Sequence, residues 1–164
     1  MVTVEWCLKN KNGIKIIEPN INMSNSYFNM AEDSIKVLNN IKDSKIWIAT
    51  TSYYIFYYSL YSLMLRIGVK CEIHSCSLEF MKQYLNEFYN QKDMEMINEA
   101  FGNRSDLQYY ADRPVDDTSI SEVKLYSKDF FVKTKLILSR IKENEIDIIR
   151  EKLKNLNVLI MMIS

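Results

Sequence analysis

The sequence predicts an all-α protein: an antiparallel helical bundle in one domain, preceded by a short N-terminal β-hairpin or extended arm. Three observations carry that prediction. Of 164 residues 48% are hydrophobic, enough for one domain with a proper core. Only 3 residues are Gly and 2 are Pro, so turn punctuation is sparse and the helices should be long. The stretch from Ser52 to Arg66 is apolar or aromatic almost all round. Tyr53, Tyr57, Leu60 and Met64 share one stripe of a helix, and Tyr54, Tyr58, Tyr61 and Leu65 form the neighbouring stripe. A helix apolar on every side is buried on every side, which puts this one at the centre of the bundle.

The elements follow in order. Residues 2–18 contain two short apolar-rich runs, VEWCL and IKII, separated by KNKNG, in which Asn12-Gly13 is a tight-turn dipeptide. They read as a small hairpin or extended arm, either a lid packed on the bundle through Trp6, Ile14 and Ile16 or an arm that binds a partner. After the break at Pro19 to Asn22, a helix is expected from about Ser24 to Ile41, with Tyr27, Ala31, Ile35, Leu38 and Ile41 along one face. Asp43 or Ser44 caps the central helix, in which Trp47 is expected as a core anchor and which Gly68 ends. Helices joined by so short a connection pack antiparallel.

Ser75 is the expected cap of a third helix, with Glu79 in its first turn and Leu78, Met81, Leu85 and Phe88 or Tyr89 on its inner face. A short helix over Asp93 to Phe101 should end at Gly102, and Arg104 to Ala111 adds a turn or two. DRPVDD is a loop, since Pro114 bars helix continuation across Arg113. Ser119-x-x-Glu122 reads as a capping box opening a long helix over Ile120 to about Lys142. A last helix over Glu145 to Ile163 ends in VLIMMI, apolar enough to pack on the bundle or on another subunit. No repeat or linker divides the chain, so one domain spans 1–164, with the arm over 1–22 and the bundle over 23–164.

Composition excludes some classes of function. A formal net charge of +0 argues against a broad nucleic-acid-coating surface, though not against a small basic cleft. The longest apolar run is about six residues, well short of the roughly 20 that span a bilayer, so no membrane role is expected. The start, MVTVEWCLKNKNG, lacks the layout of a signal peptide. Three cysteines cannot all pair. A reduced, cytoplasmic setting is therefore expected.

Few residues can carry chemistry. His74 is the single histidine; at a helix entrance it either caps and hydrogen-bonds at the core edge or, with its ordinary pKa of about 6.5, moves protons. Cys71-x-x-His74-x-Cys76 is too tight for a common zinc motif, and buried thiols are the better reading, so no metal is expected. The 11 tyrosines read as core filler whose hydroxyls find partners, with stacking on bases the lesser alternative. Glycine-rich phosphate loops, H-E-x-x-H, G-x-S-x-G and paired CxxC motifs are absent, and no cofactor is expected.

The order YY-x-x-YY-S-L-Y-S-L, then a Gly-containing turn, then IHSC-x-x-EFM, resembles the HEPN domains, in particular the small stand-alone prokaryotic and archaeal ones, over roughly Met23 to Arg140. The resemblance implies an all-α bundle, a homodimer, and a minimal nucleotidyltransferase partner in a toxin–antitoxin-type system. Active HEPN ribonucleases carry an Arg followed after four to six residues by His at a dimer interface. Arg holds the scissile phosphate, His moves the 2′-hydroxyl proton, and no metal takes part. Arg104 matches the arginine, but Tyr109 stands where the histidine would, and a tyrosine with a pKa near 10 is a poor base at neutral pH. Arg66 with His74 is spaced one residue too far and interrupted by Gly68. An alternative cleft assembles Arg104, Asp106 and Tyr109 with His74 and Tyr53. Tyr109 or Tyr110 would also match the tyrosine that partner enzymes adenylylate in some members. The expectation is therefore a nucleotide-, RNA- or partner-binding module. The alternative is a metal-independent endoribonuclease using Arg104 and His74.

Overall fold

A computed structural model describes residues 2–110 and 112–163, and among these the chain is overwhelmingly helical. In chain order the elements are α1 (Val4–Lys9), β1 (Lys15–Ile16), α2 (Ile21–Asn40), α3 (Lys45–Ile67), β2 (Val69–Lys70), α4 (His74–Tyr84), α5 (Gln91–Tyr109), α6 (Asp117–Arg140) and α7 (Glu143–Ile163). This is the expected helical bundle. No helix among the described residues is long and apolar enough to cross a membrane.

α3 is the axis, touching α2, α4, α5, α6, α7 and β2. Tyr53, Phe56, Leu60, Leu63, Met64 and Leu65 are all fully buried, as its all-round apolar character requires. α2 runs antiparallel to it: Ser24 lies beside Ser62, Tyr27 between Tyr58 and Tyr61, and Leu38 and Ile41 pack with Ile48 and Ile55. Small residues let the two helices come close. The buried Ser24 hydroxyl donates to the Ser62 carbonyl at 2.7 Å, and Ser59 and Ser62 donate back into α3 at 2.6 Å each, so these three buried hydroxyls are paired, whereas the buried Ser52 Oγ has no partner among the described residues.

Gly68 ends α3 in the left-handed region at φ 85°, where only a residue without Cβ is unstrained. A Cβ there would also lie 2.0 Å from the Arg150 guanidinium and 2.5 Å from the Ile17 carbonyl. Arg150, almost wholly buried, donates from one nitrogen to the carbonyls of Ile17 (2.7 Å), Ile67 (2.9 Å) and Gly68 (3.2 Å). The cation therefore sits on the negative end of the α3 dipole and satisfies carbonyls that the helix leaves open.

The N-terminal arm differs from the expected hairpin. VEWCL is helical: the Thr3 hydroxyl accepts from Trp6 N, and Val4 and Cys7, one turn apart, are buried in the core. The Asn12-Gly13 turn forms, but it joins a helix to β1, whose antiparallel partner is β2 rather than a strand of the arm. Ile14 is buried and Ile16 half-buried, so the arm is the lid that was expected, but Trp6 is 46% exposed. Trp47 is likewise no core anchor, at 59% exposed, because Ala49 and Ile48 take the inward positions of that turn.

Other ends shift as well. Ile73, not Ser75, precedes α4, without a side-chain cap. Gly102 does not break α5; its φ is not positive and it meets no crowding, so the helix runs on from Gln91 to Tyr109, and Ala111 lies outside the described residues. Asp116 caps α6 in place of Ser119, whose hydroxyl is taken by Glu99 and Asn103 of α5. The capping box is instead Asn90 with Asp93. Asp93 is fully buried and also receives Lys133 Nζ at 2.6 Å and Tyr126 OH at 3.0 Å, tying α5 to α6. Burial and that carboxylate push the Tyr126 phenol up to about 12. Most of the VLIMMI tail faces outward: Val158, Leu159, Met161 and Met162 are 50–77% exposed while Ile160 is half-buried, and the Ile163 side chain lies outside the described part.

Cys7 and Cys76 form a disulfide across 69 positions of sequence, so two of the three expected thiols are paired, while Cys71 is a buried free thiol. In a reducing compartment the pair would stand as two buried thiols held together by α1 packing. A closed loop of that length is expected to add about 4 kcal/mol by restricting the unfolded chain. Urea unfolding of the oxidised and dithiothreitol-reduced protein should show the reduced midpoint clearly lower; coincident curves would show that the bond does not constrain the chain.

Candidate functional site between α3, α4 and α5

Because α3 turns at Gly68 and α4 returns beside it, His74 opens α4 directly over the tyrosines of α3. Its imidazole stacks on Tyr57, with centroids 3.9 Å apart and planes 22° from parallel. The Tyr53 hydroxyl lies 2.7 Å from His74 Nδ1. Burial first, and then the Arg104 charge, lower the His74 pKa below its ordinary value, so the ring is neutral at pH 7. Burial holds the Tyr53 phenol well above its usual range, so it keeps its proton. The phenol and Nδ1 share one hydrogen bond, and with Tyr53 donating and Nδ1 accepting the ring's proton sits on Nε2. His74 is therefore presented as a hydrogen-bond donor held in one orientation.

Arg104 reaches the same ring from α5. Its guanidinium carbon is 5.2 Å from the Tyr53 centroid, 5.5 Å from that of Tyr54 and 5.9 Å from that of Tyr109. Nε donates to Gln108 Oε1 at 3.0 Å and Nη2 to the Tyr109 hydroxyl at 3.3 Å. Gln108 is itself anchored, donating to Thr50 Oγ1 of α3 at 3.0 Å. Arg104 makes no ion pair among the described residues and its Nη1 is not engaged by them. A half-buried cation with a fixed fork and no carboxylate is suited to an anion.

Of the sequence-predicted residues, Arg104, His74, Tyr53 and Tyr109 thus come together. Asp106 and Tyr110 do not join them. Asp106 pairs with Arg113 at 2.9 Å, and the Arg113 guanidinium sits 3.8 Å over the Tyr110 ring, forming a separate cluster at the end of α5. Arg66, the other arginine considered, pairs with Glu143 at 3.2 Å. Cys76 is taken up by Cys7, which removes it as a metal ligand.

Beside His74 opens a cleft of about 510 Å³ between α2, α3 and the β2–α4 connection, lined by Tyr27, Met30, Tyr54, Tyr57, Tyr58, Tyr61, Lys70, Cys71, Glu72 and His74. Reading these tyrosines as core filler missed it. The signal available in the sequence was that the stripe beside the buried face carries Tyr, not Leu or Phe, at 54, 58 and 61, as a helix side facing both core and water would. Gln108 and Thr50, which hold Arg104, carried no signal at all. No protein-family model, curated protein or solved structure matches the chain.

The geometry makes a pH prediction. His74 should titrate below its ordinary value of about 6.5, and at higher pH in Arg104→Gln, where the nearby charge is gone. Because the unfolded chain binds this proton more readily, folding stability should decline as the pH falls through and below that ordinary value. Imidazole NMR across the pH range checks both; an identical titration in Arg104→Gln would show that the two groups do not share a site.

Proposed function

We propose that this protein is a HEPN-like module that binds a nucleotide or RNA at the Arg104–His74 cleft without cleaving it. The observation that carries this is the convergence of both residues on Tyr53, the guanidinium carbon 5.2 Å and the imidazole centroid 5.7 Å from its ring. Arg104 supplies the charge for a phosphate, and His74 supplies an Nε2 donor. Because Tyr53 occupies Nδ1 and the remaining nitrogen already carries its proton, His74 is poorly set to accept a proton from a 2′-hydroxyl. Cytoplasmic location, homodimerisation and a minimal nucleotidyltransferase partner belong to the same proposal. Exposed apolar side chains on α6 and α7, among them Leu125, Val132 and Leu136, are compatible with a partner surface.

The second reading is a metal-independent endoribonuclease with the same two residues. What favours it is a neutral histidine next to an unpaired arginine, the two groups that such chemistry needs. It would require the imidazole to exchange its tautomer, with Nε2 then taking the proton.

Labelled single-stranded RNA incubated with the protein in EDTA separates the two. The binding reading predicts retention of intact RNA by the wild type and a loss of affinity of about tenfold or more in Arg104→Ala, the scale of one charge-assisted hydrogen bond. Cleavage by the wild type that vanishes in both Arg104→Ala and His74→Ala would replace binding with catalysis. A folded protein that neither binds nor cleaves would contradict both.

A further inference from the structure

We infer that the tyrosine cleft beside His74 is a nucleobase subsite that takes a purine, with Arg104 at its edge holding the phosphate of the same nucleotide. This deepens the nucleotide-binding reading and rests on it. Rings line the cleft from two helices: Tyr54, Tyr57, Tyr58 and Tyr61 from α3 and Tyr27 from α2. Along α3 they form offset ladders, with Tyr54 and Tyr58 at 5.1 Å and Tyr57 and Tyr61 at 5.6 Å, while Tyr27 stands edge-on to Tyr61 at 4.7 Å. A floor of stacked rings with an upright wall suits a flat ligand.

The hydroxyls narrow the class. Tyr61 OH is engaged by Cys71 N at 3.2 Å, but Tyr27, Tyr54 and Tyr58 make no hydrogen bond among the described residues. An aliphatic occupant would cover these three hydroxyls without giving them partners, and such burial is unfavourable. A heteroaromatic base has a π-face for the rings and a polar edge for the hydroxyls.

Charge excludes the other ligand that tyrosine cages favour, a quaternary ammonium ion. The one acidic side chain lining the cleft, Glu72, is already paired with Lys70 at 2.9 Å. The neighbouring uncompensated charge is positive: the Arg104 guanidinium 5.5 Å from the Tyr54 ring. A ligand anionic at one end and aromatic at the other fits this order of groups, and a nucleotide is such a ligand. The volume, about 510 Å³, is in the range of sites that enclose small molecules. The larger face of a purine covers more of the ring floor than a pyrimidine does.

Calorimetric titration of the folded protein with AMP, ribose 5-phosphate and adenosine tests the assignment. AMP should bind at least about tenfold more tightly than ribose 5-phosphate, the lower end of what base stacking on an aromatic side chain contributes, and more tightly than UMP. Tyr58→Ala should weaken AMP about tenfold and leave ribose 5-phosphate unchanged. Tyr58→Leu, which keeps the bulk of the side chain, should do the same if the alanine variant is unstable. Arg104→Ala should weaken AMP and ribose 5-phosphate but not adenosine. Equal affinities for AMP and ribose 5-phosphate, or AMP binding indifferent to both Tyr58 variants, would overturn the base subsite while leaving phosphate binding at Arg104 intact. Binding of adenosine with no gain from the phosphate would keep the subsite and overturn the phosphate reading. Binding of none of the three would overturn both.

Discussion

The carbonyl end of α3 is where four parts of the chain meet, and the rest of the structure depends on how its open carbonyls are closed. A buried helix end leaves acceptors that water cannot reach. Here Asn20 N takes the Leu65 carbonyl, Ile17 N takes that of Gly68, and Arg150 of α7 bridges Ile67, Gly68 and Ile17. The nearest carboxylate to that guanidinium, on Glu18, is 3.9 Å away and exposed. Carbonyl dipoles, not a counter-charge, thus stabilise the cation. The position admits only glycine at 68, and one arginine joins the first, middle and last parts of the chain.

The site inherits its geometry from this junction. With α3 stopped at Gly68, β2 pairs with β1 and the chain re-enters as α4, bringing His74 onto Tyr57 and within hydrogen-bonding reach of Tyr53. The Cys7–Cys76 bond then pins α4 two residues beyond His74 to the inner face of α1. Arg104 is held separately, by a relay from Gln108 to Thr50 that fastens it to α3. Arg104 and His74 are therefore each mounted on a helix and braced against α3, which is what a preorganised site requires.

How much of this was legible in the sequence depended on whether a residue's role is local. α3, its glycine stop and its antiparallel partner were readable because all-round apolar character, a left-handed cap and a short connection are properties of neighbouring residues. His74 and Arg104 could be singled out by residue type and resemblance, and Tyr53 with them. The arm misled because VEWCL favours a strand by composition, while its fold is decided by distant contacts: Val4 and Cys7 are drawn into the core, and Cys7 is bonded to α4. Gly102 misled in the opposite way, as a glycine with a helical φ is only a weak point in a helix that tertiary packing already holds. Trp47 shows that size and hydrophobicity do not assign a face. The tyrosine cleft was hidden because core filler and ligand slot share one helical spacing, and only the position of α2 leaves a gap over it.

The central claim is that Arg104, His74 and the tyrosines of α2 and α3 form one nucleotide cleft. The most direct measurement is an NMR titration with AMP that follows the His74 imidazole, the Arg104 Nε–H and the Tyr27 and Tyr58 rings together. The account predicts that all four move along one saturation curve, with the Arg113–Tyr110 cluster unmoved. Shifts confined to that cluster, or separate curves for Arg104 and the tyrosines, would contradict it.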